Sequence, residues 1–253
     1  YMNADGYADT FELGFTVPMY RSLMQSSFYD VVYRNRQLTD KMFNGVWNSG
    51  KSSDAIDLGF HGYLRGENSS FTYGLTHTTG KMYMDSDIAQ ATDLLDTAGW
   101  FNKTYLSTSF IRRLDERWNA TLAVSGQYAY NNLDSSEDFY GTGPNGVRAF
   151  SQGELSGDSG LLGTLEFTYT TGQPKLQLAA FIDAARIRYS KDPLPNSGDN
   201  YRDLAGAGLS IIWNESRDLY ARLDWATPIG DHWSETDNER TNNTWWFRIV
   251  KQL

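Results

Sequence analysis

Trp118-Asn-Ala-Thr-Leu-Ala-Val-Ser-Gly-Gln-Tyr-Ala-Tyr130 alternates without a slip. Trp118, Ala120, Leu122, Val124, Tyr128 and Tyr130 fall on one face, Asn119, Thr121, Ser125 and Gln127 on the other. A period of two is the mark of a strand with one apolar face. The run is far longer than the ~5–6 residues usual in globular proteins, and it reaches the ~9–11 tilted residues that cross a bilayer. Soon after it comes Gly143-Pro-Asn-Gly-Val-Arg-Ala-Phe150, continued by Ser151-Gln-Gly-Glu-Leu-Ser-Gly-Asp-Ser-Gly160. Glycine and proline both weaken regular elements, so this is a loop. It is much longer than the ~2–5 residues of most hairpin turns, and a loop of that length inside an ordered domain is usually functional.

Working outward, the same alternation recurs on both sides. Before the loop it predicts strands over 10–19, 28–37, 56–65, 71–76 and 100–114. After it, Leu161, Leu165, Phe167 and Tyr169 alternate with Thr164, Glu166 and Thr168, and Leu178 and Ile182 with Gln177, Phe181 and Asp183. Further strands follow near 205–213, 219–229 and 245–253, which makes about eleven. The breaks at 21–26, 66–70, 112–117, 171–175 and 214–218 are short. Those at 38–53, 84–98, 131–160, 190–203 and 230–243 read as long loops, and 84–98 has room for a short helix. Short turns on one side and long loops on the other are the asymmetry of a transmembrane antiparallel β-barrel.

Composition agrees. The chain of 253 residues carries sixteen Tyr, thirteen Phe and eight Trp, yet its net charge is −9 and no apolar run approaches the ~18–20 residues of a membrane helix. An aromatic excess in a polar sequence suits a barrel with a lipid face and a polar lumen. Trp100, Trp118, Trp225, Trp245 and Trp246 near strand ends suit interfacial girdles. The acidic balance argues against nucleic acid as a partner. With no cysteine and three scattered histidines, neither a disulfide framework nor a metal centre is expected. His61 and His77 lie in strands and His232 beside Asp231 in the last loop; none is linked to an activated serine, so no catalytic residue, cofactor or enzymatic activity is expected. The first residues, Tyr-Met-Asn-Ala-Asp-Gly, have neither the basic nor the apolar region of a leader peptide.

Gly143-Pro-Asn-Gly-Val-Arg-Ala-Phe150 and Gly153-Glu-Leu-Ser-Gly-Asp-Ser-Gly160 resemble the sixth-loop hairpin of TpsB transporters, the outer-membrane pores of two-partner secretion. The family loop reads Gly-Gly-Pro-x-x-Val-Arg-Gly-Phe/Tyr, and its Gly-Glu-x-Ser-Gly-Asp-x-Gly extension favours TpsB over other branches of the barrel-assembly (POTRA-barrel) superfamily. Phe181-Ile-Asp-Ala-Ala185 resembles the family's Phe-x-Asp-x-Gly strand motif. The resemblance covers essentially the whole chain. It implies that residues 1–253 are the C-terminal part of a sixteen-strand barrel, the POTRA domains, plug helix and first strands having no counterpart, and that the loop at 131–160 folds inward. It further implies a single pore in outer-membrane lipid and lipopolysaccharide that passes a large secreted exoprotein, unfolded in transit, to the cell surface.

The resemblance assigns Gly143, Val147, Ala149, Phe150, Gly153, Glu154, Gly157, Asp158 and Gly160 to the loop motif, and Phe181 and Ala185 to the strand motif. Arg148 and Asp183 become the loop–barrel lock, which the residues support independently, since the alternation turns Asp183 toward the lumen. Glu166 shares that face and is a candidate third member. Thr142, Ala149 and Ala185 stand where the family has glycine, and Ala149 is strained if its position needs a positive φ. Two other readings remain open: an assembly or insertase barrel of the same superfamily, and a passive porin, which has no need of the Val-Arg-Ala-Phe loop.

Overall fold

The computed structural model describes residues 5–173, 175–215, 219–230 and 243–251. Eleven strands form one antiparallel sheet: β1 (Asp5–Arg21), β2 (Gln25–Met42), β3 (Trp47–Arg65), β4 (Ser69–Met84), β5 (Gly99–Arg113) and β6 (Trp118–Ala129), then β9 (Ser159–Thr170), β10 (Leu176–Arg188), β11 (Tyr201–Asn214), β12 (Leu219–Pro228) and β13 (Thr244–Lys251). Between β6 and β9 the loop makes its own two-stranded ribbon from β7 (Phe139–Tyr140) and β8 (Ser156–Gly157). Each long strand pairs with its neighbour in sequence, except that β6 pairs with β9 across the loop. The loop therefore leaves and re-enters the wall at adjacent strands. β1 and β13 are the two edges. Pro18, which has no N–H to give a ladder, sits in edge strand β1 beside the register shift between Pro18 and Tyr20.

The alternation sorts side chains as expected. Along β10, Ala179, Phe181, Asp183, Ala185 and Ile187 are buried, while Leu178, Ala180, Ile182 and Ala184 between them are exposed. Loop side chains and backbone together touch strands from β2 through to β13, so the sheet curves around the loop and its concave face is the lumen. Buried apolar side chains gather in two clusters, both on the loop side of the wall. One joins Val147, Ala149, Phe150 and Leu155 of the loop to Leu162, Phe181, Ile187 and Leu204. The other joins Leu133 to Ala55, Met82, Phe101 and Ala129.

The short turns at 21–26, 66–70 and 112–117 hold as short connections; residue 174 of 171–175 and residues 216–218 of 214–218 lie outside the described residues. The 84–98 loop carries α1 (Asp87–Thr92), N-capped by Ser86, whose Oγ accepts from the Ala89 N–H. The reading of 38–53 as a loop is corrected. β2 and β3 run on until Met42 faces Trp47 and turn through a 3-10 turn at Phe43–Gly45. Its Asn, Gly, Lys and Ser content mimics a loop, but cross-strand ladder bonds need no apolar side chain. The inner face there is covered by other elements, leaving Ser49 and Ser53 only 2% exposed. Most of the 230–243 loop, with His232 and Asp231, lies outside the described residues.

Candidate functional site

The loop folds back on itself before it meets the wall. The Gly141 N–H donates to Leu155 O and the Val147 N–H to Gly141 O, while the Leu155 N–H reaches Thr142 Oγ1. Gly143 turns the chain at φ +105°, a conformation closed to most side chains. These bonds close a tight turn over 141–147 and push Arg148 outward from it, into the lumen wall.

There Arg148 meets β10 edge-on. Its Nε donates to Asp183 Oδ2 and its Nη2 to Asp183 Oδ1, both at 2.8 Å, and its backbone N–H adds a third bond to Oδ2 at 3.2 Å. The planar fork matches the carboxylate, the strongest arrangement open to such a pair. Nη1 reaches Glu166 Oε2 on β9 at 3.0 Å and Asp224 Oδ1 on β12 at 3.4 Å. The guanidinium carbon lies 3.2 Å from the centroid of the Phe181 ring, so a cation–π contact covers its open face. Asp183 is fully buried and Arg148 is 6% exposed. Arg222 completes the cluster, bonding Glu166 at 2.6 Å and Asp224 at 2.8 Å, with Ser210 and Thr164 donating to Asp224 and Asp183. Two guanidinium groups thus share three carboxylates.

β13 holds the same turn from the far side. Trp246 Nε1–H donates to Arg148 O at 2.7 Å, Thr244 Oγ1 to Ala149 O at 2.9 Å and Arg248 Nη2 to Asn145 Oδ1 at 2.9 Å. The expectation that Trp246 belongs to an interfacial girdle is therefore corrected: successive residues point to opposite faces, so Trp245 faces out and Trp246 in. Ala149 is not among the positive-φ residues. Its methyl sits against Gly206 of β11, where an added Cβ would come within 2.5 Å of it. Ala185 is buried behind the loop, and Val147 and Phe150 are buried with it.

The remaining motif residues shape the return path. Gly153 turns at φ +80°. The Glu154 carboxylate is fully buried and pairs with Arg202 of β11 at 3.3 Å. Gly157 lies in β8 and Gly160 is the second residue of β9, both packed against Ile187 where no Cβ would fit. Asp158 accepts the backbone N–H groups of Leu133 at 3.0 Å and Lys191 at 2.6 Å, tying the loop's first turn to the β10–β11 loop. Burial pushes its carboxyl up. The carboxyl of Asp138, at the base of β7, is pushed up to about 7, first by burial and then by the Asp158 charge.

Arg222 and Asp224 carry no motif in the sequence, and Trp246 reads there as a girdle residue rather than a partner of the loop. The alternation does put all three on the inward face; what it lacks is which distant residue each would meet. Among the described residues, His61 contacts Asp30 and His77 contacts Thr104.

A curved antiparallel wall whose long loop is folded into its lumen and tied there by an arginine defines a loop-plugged β-barrel. Solved structures share this fold: CdiB from Escherichia coli (TM-score 0.79, 16% identity, 99% of this chain and 46% of that one) and CdiB from Acinetobacter baumannii (0.73, 16%, 99% and 43%). BamA from Haemophilus ducreyi lacking POTRA domains 1-3 is more distant (0.51, 13%, 96% and 62%). The chain thus spans less than half the length of either CdiB. No curated protein sequence matches it. The model of the haemolysin secretion/activation proteins ShlB/FhaC/HecB matches residues 2–212, and the chain belongs to that family.

Proposed function

We propose that the chain is wall and plug of an outer-membrane conduit that passes a large secreted exoprotein from periplasm to cell surface, as in two-partner secretion. Further strands beside β1 and β13 close the cylinder. The exoprotein threads through unfolded, and the barrel sits in outer-membrane lipid and lipopolysaccharide. Family membership supports the transport role. One observation carries the mechanism: Arg148, on an exported-side loop, is held inside the lumen by Asp183 and Glu166. A loop so held fills the path a polypeptide would take, so the ion cluster works as a lock that sets the loop's position.

Breaking one side of a buried pair leaves its partner's charge uncompensated, at a cost of ~3–5 kcal/mol. Arg148→Ala and Asp183→Ala are therefore expected each to misplace the loop and to cut export sharply in a secretion assay with the cognate exoprotein. Full secretion by both variants would overturn the reading.

A further inference from the structure

The loop has a second charged anchorage of opposite sign at its stem. Glu137 lies in the one-turn 3-10 segment Ser135–Glu137, before β7, and is 1% exposed. Arg34 Nη1 and Arg36 Nη1, both on β2, reach its Oε1 at 3.2 Å, and Lys103 Nζ of β5 reaches Oε2 at 2.8 Å. The backbone joins in: Lys103 Nζ and Gln127 Nε2 donate to Glu137 O at 2.7 and 3.0 Å, and Arg36 donates to Ser136 O at 3.0 Å. Three residues before Glu137, Asp134 accepts from Lys51 of β3. At the tip a loop cation sits among wall carboxylates; at the stem loop carboxylates sit among wall cations.

Building on the conduit reading, we propose that Glu137, gripped by Arg34, Arg36 and Lys103, is a second lock that holds the loop's stem to the β2–β5 wall independently of the Arg148 lock at its tip. The two anchorages use different strands: β2, β3, β5 and β6 for the stem, and β9, β10, β12 and β13 for the tip. Leu133, beside the stem, packs into one apolar cluster, while Val147, Ala149 and Phe150 of the tip pack into the other, which Phe139 of β7 also joins. Burial alone would push the Glu137 carboxyl up, yet the Lys103, Arg34 and Arg36 charges outweigh it and hold it below the usual range, as a permanently charged anchor requires. With two locks, releasing the tip opens the lumen along β9–β13 while the stem keeps the loop tethered.

Thiol labelling separates the two. The Ser136 hydroxyl is buried and makes no hydrogen bond, so Ser136→Cys is a benign stem probe, and Val147→Cys, fully buried, is a tip probe. Each would be placed in the full-length protein, in outer membranes, and reacted with an impermeant maleimide, with labelling located by peptide mass. Glu137→Gln removes charge-assisted bonds from a buried cluster, so it should speed labelling at Ser136→Cys by about tenfold or more and leave Val147→Cys unchanged. Arg148→Ala should do the reverse. Arg36→Gln, which alters the wall and leaves the loop intact, should speed the stem probe by a smaller factor. Unheated gel mobility checks that each barrel is folded. An unmoved stem probe in folded Glu137→Gln, or both probes moving together in either variant, overturns the second lock. Labelling reports docking alone, so such a failure stays distinct from failure of the export reading, which secretion decides.

Discussion

At the scale of single residues, the site depends on where each carboxylate ends up. Asp183 could be turned inward from the alternation of β10 alone, because a strand's side chains have only two faces to choose from. Asp138 offered no such handle. Its surroundings exist only once the loop has folded and brought Asp158 and the β7–β8 ribbon beside it, with Ser156 Oγ donating to it at 3.3 Å. Burial and the Asp158 charge push its carboxyl up to about 7, so the folded state holds a proton that the unfolded chain has lost above about 3.8. The sign follows: stability is greatest below the ordinary carboxyl value, declines as pH rises from there to about 7, and is level above. Asp138→Asn should remove that decline, melting above the parent at pH 8 and close to it at pH 4. Parallel melting curves of the folded barrel at the two pH values check this, and an unchanged pH dependence would contradict it.

At the scale of elements, strands were legible and their ends were not. Period-two patterning reports which face is apolar; where a strand stops depends on whether a neighbour continues the ladder. That is why 38–53 reads as a loop and is instead a hairpin paired to Met42 and Trp47. For the loop, the glycine pattern announced tight turns, while its docking depends on strands far away in sequence. Ala149 illustrates this. Where the family has glycine at that position, here Gly206 of β11 leaves room for the methyl. Gly206→Ala would drive two methyl groups to 2.5 Å and should weaken tip docking by about 1–3 kcal/mol, the usual cost of overpacking. Adding Ala149→Gly should restore most of it, read as the labelling rate of Val147→Cys. Equal loss in the single and double variants would mean that the strain lies elsewhere, at Thr227 O, 3.3 Å away.

At the scale of the whole molecule, the wall has the reverse of a soluble protein's surface. Its outer face is apolar and exposed, with Leu178, Ile182, Leu209, Ile211 and Phe247 each more than 40% accessible. Its buried side holds Arg148, Glu166, Asp183, Arg222 and Asp224 together with the loop. Water could not tolerate that outer face as a continuous band, whereas hydrocarbon can. Ile182, at the middle of β10 between Leu165 and Ala207, tests the assignment without touching the loop. In lipid, Ile182→Arg should cost ~2–4 kcal/mol, as expected of a cation near the bilayer midplane. Gln177→Arg, near one end of the same strand and on the lumen side, should cost little. The measurement is urea-driven folding of the full-length protein into lipid vesicles. If Ile182→Arg proved as well tolerated as Gln177→Arg, the outer face would not meet hydrocarbon at that depth, and the barrel would sit differently in the membrane than its apolar band requires.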